Sequence, residues 1–411
     1  MTSMHEWTIM IYANGNNELA PEMWSSIKQV ETLNIHQNIR ITVQIALEKK
    51  KIIKLIRPDL RIVDDEPDWN DVKRYSTGFQ GHTPQENLGN LNMADPKNLR
   101  DFIVWSQINF PAKKYMLILS GHIYQFVGML PDYSQETPYF MCFPELSLAI
   151  DTACRETGSQ IDLLVLDTCY AGTLENLFEF GKIKNPFVKY VLTYFGNGSL
   201  NGLPYEKMID CLMQNPLAST DAVLYNFIFH FDAYEKNYHL VLYKIDSETL
   251  TLIQKLFSFV AYQYILLHKK LGVELSPYEL LQNLDTSLPW SVFIKTIHLS
   301  AKSLIVLKSE RLSKLESAIP IHVLYKKIPD EKRRSLYNRL SFAKKNYWSH
   351  MLCDIPLDKT VSPPTVDLFP TPMTAPILQT FVSSSISYLS NEKQKEIFQQ
   401  LICEKNWKME N

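Results

Sequence analysis

Five short apolar or β-branched runs constrain the fold of this chain more than any other feature. They are WTIMIY at 7–12, IRITVQIA at 39–46, YMLILS at 115–120, IDLLVL at 161–166 and VKYVLTY at 188–194. Runs of this length read as buried strands. Between them lie segments that can hold helices: 18–33, 96–108 after Asp95-Pro96, 143–156 after Phe143-Pro144-Glu145, and 173–181. Strand, helix, strand in that order specifies an α/β fold, a mostly parallel sheet with right-handed crossovers, flanked by helices.

Past residue 205 the pattern changes to a more helical portion, with helices expected over 247–271 and 330–346 and strands over His239–Ile245 and Ala318–Leu324. Six prolines between Asp354 and Pro376 exclude regular helix or central strand there. The organisation expected is therefore a core over 1–210, elements completing or packing on it over 211–353, a Pro-rich linker or arm over 354–376, and a C-terminal helical segment over 377–411 with a helix at Asn391–Lys405.

Charge excludes some classes of partner. With 42 Lys and Arg against 44 Asp and Glu, no overall field attracts nucleic acid or an anionic membrane. Eight cations lie between Lys326 and Lys345, but in a near-neutral chain they read as a solvated face. The apolar window Leu256–Leu267 is too short and too polar for a bilayer span and reads as a buried helix. Met1 to Trp7 shows neither a basic nor an apolar leader region, so the expected setting is cytoplasmic. The six cysteines lack C-x-x-C spacing, which speaks for reduced thiols.

In an open parallel sheet, ligands bind beyond the carboxyl ends of the strands. Three polar stretches sit there: Asn14-Gly15-Asn16-Asn17, Ser120-Gly121-His122 and Asp167-Thr168-Cys169. A His and a Cys at one sheet edge satisfy what thiol catalysis needs, an imidazole for proton transfer and a backbone N–H for an oxyanion. On position alone, Cys169 reads equally as a small buried hydrophobe and His122 as a turn residue.

The residues around these positions resemble the clostripain family of cysteine peptidases. The resemblance is carried by Trp7–Tyr12 with Asn14–Asn17, by Leu91–Leu99 with Asp101–Trp105, by Phe110–Tyr115 leading to His122, and by Ile161–Glu175 around Cys169, in consistent order over about residues 5–210. It implies a caspase-like fold with a Cys/His dyad, His122 as general acid/base and Cys169 as nucleophile, acting on protein or peptide substrates after a basic P1 residue. Asp167 matches the acid that would receive Arg or Lys in the S1 pocket, and Gly121, Thr168 and Thr193 complete the candidate substrate-binding set. No metal site is implied and no cofactor is required. The acidic run Asp64, Asp65, Glu66, Asp68 and Asp71 is a surface turn or a Ca2+ site of the kind some relatives need.

Two departures bear on activity. Ile123 follows the His where the family has Gly, and a β-branched residue avoids φ > 0. Thr193-Tyr194 stands where Ser-Glu is usual, leaving basic P1 preference on Asp167 alone. Between Ile123 and Thr168 the only basic residue is Arg155, on an expected helix, so a single chain is expected without a maturation cut. The alternatives are a catalytically weak or inactive caspase-like regulatory module, including a protease switched on by an activating protein partner in a stress or defence response, and a different thiol enzyme such as an amidase or acyltransferase.

Overall fold

The computed structural model describes residues 4–61, 71–78, 81, 83–282, 287–310, 312, 321–328, 330–359 and 366–409. Its strands are β1 (His5–Gly15), β2 (Ile39–Leu47), β3 (Lys73–Gly78), β4 (Glu86–Asn87), β5 (Ala112–Ser120), β6 (Ile123–Tyr124), β7 (Gly128–Asp132), β8 (Tyr139–Met141), β9 (Ile161–Asp167), β10 (Val188–Tyr194), β11 (Leu240–Lys244), β12 (Ile305–Lys308) and β13 (Thr371–Pro372). Among the described residues, nine of these form one sheet in the order β12-β11-β10-β9-β5-β1-β2-β3-β4. Its five central strands, the five apolar runs, are mutually parallel. The outer strands are antiparallel, and β11 and β12 extend the same sheet, so residues beyond 211 complete the core.

Side chains alternate across a strand, and both faces of the central strands are buried. Met10, Leu117, Leu119, Leu164 and Leu166 pack on one face with Leu99 and Phe102 of helix Pro96–Asn109 and Leu146 and Ile150 of helix Phe143–Thr157. Ile9, Ile11, Met116, Ile118, Leu163 and Val165 pack on the other with Met23, Ile27 and Val30 of helix Ala20–Glu31. Burying each such side chain contributes about 1.5–3 kcal/mol, which is why the runs tolerate so little polarity. Helix ends follow local chemistry. Asp95 caps Pro96–Asn109 by accepting the Lys97 N–H at 2.9 Å, and Phe143–Thr157 stops at Gly158, whose φ of 69° needs no side chain.

The C-terminal half departs from the sequence reading at two places. The helix expected to 346 stops at Arg339, because the N–H and hydroxyl of Ser341 are both taken by the buried Glu179 carboxylate. His322 makes only an isolated bridge to Thr173, so Ile321–Leu324 is not a strand, and 318–320 lies outside the described residues. The helix expected over 247–271 runs from Ser247 to Leu271, long and apolar enough by length and composition to cross a membrane, which the shorter window 256–267 does not reveal. In the fold its Phe257 is buried edge-on against Trp348.

The Pro-rich arm is tied down. Thr371 and Pro372 pair with Phe140 and Tyr139 as the edge strand of a second sheet, β13-β8-β7-β6. A proline fits an edge, where no ladder donor is missed. Helix Ala375–Ser385 follows, starting two residues before the helical segment expected over 377–411, and helix Asn391–Lys405 comes after it.

Glu175, on helix Leu174–Gly181, joins the halves. Its Oε1 accepts the Leu324 N–H at 2.9 Å and the Tyr337 hydroxyl at 3.4 Å, while Oε2 is buried without a partner among the described residues. Burial pushes its carboxyl up to about 7. A raised folded-state value favours the fold below the ordinary carboxylate range and loses that advantage as pH rises toward about 7. Glu175→Gln should remove this loss, stabilising the protein by roughly 1–3 kcal/mol above about pH 7 with little effect at about pH 4, as read from urea unfolding across pH. Equal stabilities at both ends would refute it.

Candidate active site

Strand register brings the two catalytic candidates together. Ser120 on β5 pairs with Asp167 on β9, and His122 and Cys169 each stand two residues beyond that pair. Neighbouring strands lie about 4.8 Å apart, so both side chains emerge at one height on the carboxyl edge. After His122 the chain enters β6, in which Ile123 pairs with Met129 in extended conformation. Ile123 therefore needs no positive φ, and its β-branched side chain suits the strand. After Cys169 the chain turns sharply at Tyr170, whose φ of 49° is left-handed and whose N–H donates to Gly196 O at 2.7 Å. A tyrosine held there costs about 1–3 kcal/mol, and the hydrogen bond retains it.

Cys169, His122, Gly121, Thr168 and Asp167 line one cleft of about 760 Å³, together with Gly198 and Ser385. The Cys169 sulfur accepts the Gly198 N–H at 3.1 Å. Burial pushes the thiol up, opposed by that amide and by its own, while Asp167 pushes it further up. No hydrogen bond joins His122 to Cys169 among the described residues. The imidazole is held by other groups instead, with Nε2 at 3.1 Å from Glu18 Oε1 and 3.1 Å from Ser385 Oγ. Glu18 is fully buried. Burial alone would raise its carboxyl, but the charge and hydrogen bond of His122 hold it below the usual range.

Asp167 sits in the cleft wall, its Oδ1 accepting the Leu203 N–H at 3.0 Å and its Oδ2 accepting the Tyr205 hydroxyl and, at 3.3 Å, the Ser120 hydroxyl. Burial raises its carboxyl, and no cation pairs with it among the described residues. Gly202 abuts it so closely that a Cβ there would stand 2.7 Å from Oδ2. Thr193 is placed differently from expectation. It is fully buried on β10, donates to Leu166 O at 2.9 Å and does not reach the cleft, because its side chain lies within the sheet's buried face.

A model of the clostripain family matches residues 21–347 of the chain. The chain belongs to the clostripain family. As a member it is a cysteine peptidase, a hydrolase, with a caspase-like fold. The fold is shared with solved structures at low identity. An inactive zymogen C11 protease from Parabacteroides distasonis superposes with TM-score 0.56 at 14% identity, over 84% of this chain and 99% of that one. A secreted C11 cysteine protease from Bacteroides thetaiotaomicron, iotapain, gives 0.52 at 12% over 74% and 87%. A secreted C11 cysteine protease from the same organism in complex with an irreversible peptide inhibitor gives 0.51 at 15% over 74% and 84%. No curated protein matches the sequence.

Sequence reading of this clostripain-family chain missed Glu18, Gly198, Tyr205 and Ser385. Glu18 had a signal, since it directly follows Asn17 in the stretch after β1, the strand beside β5. The asparagines of that stretch serve structure: Asn14 and Asn17 both donate to Pro131 O, at 3.1 and 2.9 Å, and Asn16 donates to Asp132 at 2.8 Å. Ser385 and Gly198 had none, because they arrive by tertiary packing.

Among the described residues no group of His, Cys, Asp and Glu side chains converges on a point that could hold a metal. Asp64, Asp65, Glu66 and Asp68 lie outside the described residues, and Asp71 accepts from Asn87 at 2.9 Å. In the basic run, Arg339 pairs with buried Glu145, Arg333 with Asp330 at 3.3 Å and Lys327 with Asp354 at 2.6 Å. Arg155 lies inside helix Phe143–Thr157 with its guanidinium 5.5 Å from the Phe187 ring, an unfavourable place for a cut.

Proposed function

We propose that the chain is a cysteine endopeptidase in which Cys169 attacks the scissile carbonyl and His122 carries the proton. The carbon–sulfur bond forms, the thiol proton passes through the imidazole to the leaving nitrogen, and the carbon–nitrogen bond breaks to leave a thioester that water hydrolyses. The Cys169 N–H is the donor for the oxyanion. The observation that carries this reading is the placement of both side chains in one cleft, two residues beyond the registered pair Ser120 and Asp167.

The P1 residue in this reading is Arg or Lys. A buried carboxylate that borders the cleft and lacks a cationic partner among the described residues is supplied with one by a guanidinium or ammonium group. The reaction so written draws on no cofactor. All six cysteines are unpaired, which supports a cytoplasmic, reducing setting. A second reading, a catalytically weak or inactive module awaiting an activating partner, is favoured by the absence of a hydrogen bond between His122 and Cys169 among the described residues.

Fluorogenic peptides varying only at P1, with and without Ca2+, decide between them. Cleavage after Arg and Lys is expected, with kcat/KM for these substrates falling about 10²-fold in Asp167→Asn. Cleavage indifferent to P1 charge would remove the role of Asp167, and no cleavage by the folded protein would favour the second reading.

A further inference from the structure

The family match ends at residue 347, yet the chain beyond it reaches into the cleft. Helix Ala375–Ser385 buries Ile377, Leu378, Phe381 and Val382, and Phe381 packs edge-on to Tyr124 at 6.2 Å, two residues past His122. The segment is anchored on both sides, by the pairing of β13 with β8 before the helix and by Lys405 on Glu48 at 2.5 Å after it. This fixes the last residue of the helix, Ser385, against the imidazole.

We propose that Ser385, with Glu18, is a positioning residue that holds His122 by Nε2 so that Nδ1 is the nitrogen working in the cleft. The proposal rests on the peptidase reading above. The hydrogen bonds determine the tautomer. The Ser385 hydroxyl donates to Glu18 Oε1 at 2.8 Å, so its oxygen is left to accept, and a carboxylate can only accept. Both atoms 3.1 Å from Nε2 are therefore acceptors, and Nε2 carries the proton. Nδ1 makes no hydrogen bond among the described residues and keeps its lone pair for the thiol proton. A carboxylate behind a catalytic imidazole fixes ring orientation and tautomer without touching substrate. Here a hydroxyl from the C-terminal segment shares that task.

The test uses the full chain labelled with ¹⁵N-histidine, the His122 signals being assigned by their loss in His122→Asn. With the imidazole neutral, the wild-type protein should show the Nε2–H tautomer. Ser385→Ala should shift part of the population to Nδ1–H and lower kcat by about 3–10-fold with KM unchanged, and Ser385→Thr should restore both. Glu18→Gln should act in the same direction and lower kcat by about 10²-fold or more. An Nδ1–H tautomer in the wild type would overturn the proposal. So would a Ser385→Ala protein with unaltered tautomer and kcat, or a Ser385→Thr protein that recovers neither. Should Glu18→Gln fail to fold, the half-exposed Ser385 hydroxyl still decides. A wild-type chain that cleaves no peptide defeats the peptidase reading alone, because the tautomer is read without substrate.

Discussion

Cys169→Ala should abolish peptide hydrolysis, lowering kcat by about 10⁴-fold or more while the fold and peptide affinity persist. Cys169 is the one cysteine lining the described cleft. Cys142, Cys154, Cys211 and Cys353 are buried elsewhere, and Cys403 is exposed on the last helix. Nothing else in the site substitutes for the nucleophile, so residual rate would come only from binding and the oxyanion donor. The thiol carries a second expectation. A catalytic thiolate poised by an adjacent imidazolium would alkylate readily below about pH 8. Here burial pushes the thiol above its ordinary range, and the imidazole is held by Glu18 and Ser385 instead. Iodoacetamide labelling of free enzyme at Cys169, measured against Cys169→Ala to subtract Cys403, should be slow at neutral pH and still rising at about pH 9. A labelling plateau below about pH 8 would show a preformed ion pair that this arrangement lacks.

Lys405→Ala should destabilise the protein by about 3–5 kcal/mol, the cost of leaving a buried charge without its partner. Glu48 is almost wholly buried, and Lys405 Nζ lies 2.5 Å from its Oε2 and 2.9 Å from Tyr133 O. Burial raises the Glu48 carboxyl and Lys405 opposes the rise. Without the lysine the carboxyl moves further up, and a raised folded-state value favours the fold only at low pH. The deficit should therefore be larger at about pH 8 than at about pH 5, and Glu48→Gln combined with Lys405→Met should recover most of it. Urea unfolding of both variants against the wild type reads both effects. A loss under about 1 kcal/mol at both pH values would mark the pair as a surface contact.

Much of the fold could be read along the chain because its signals are local. The five central strands coincide with five apolar runs, since strands buried on both faces admit little else. Helices 247–271 and 391–405 carry their own caps, Asp246 and Ser390 accepting the Thr249 and Lys393 N–H groups. His122 and Cys169 were found because polar residues directly after such runs must lie on the carboxyl edge. Where distant partners compete, local signals failed: Glu179 draws Ser341 out of the helix expected to 346, and Thr193 turns into the sheet when its strand is placed beside β9.

By itself, then, the amino-acid sequence determined the parallel sheet, the succession of its core strands along the chain and the two residues that share its edge. Strand burial and strand ends leave marks within a few residues of one another. Only the tertiary structure decided what surrounds those two residues: Glu18 behind the imidazole, Gly198 on the thiol, Tyr205 on Asp167, and Ser385 brought from beyond the family match. Each is a single polar contact between residues up to 263 positions apart. Such contacts leave no periodicity along the chain, because their geometry exists only once the sheet has set the distances.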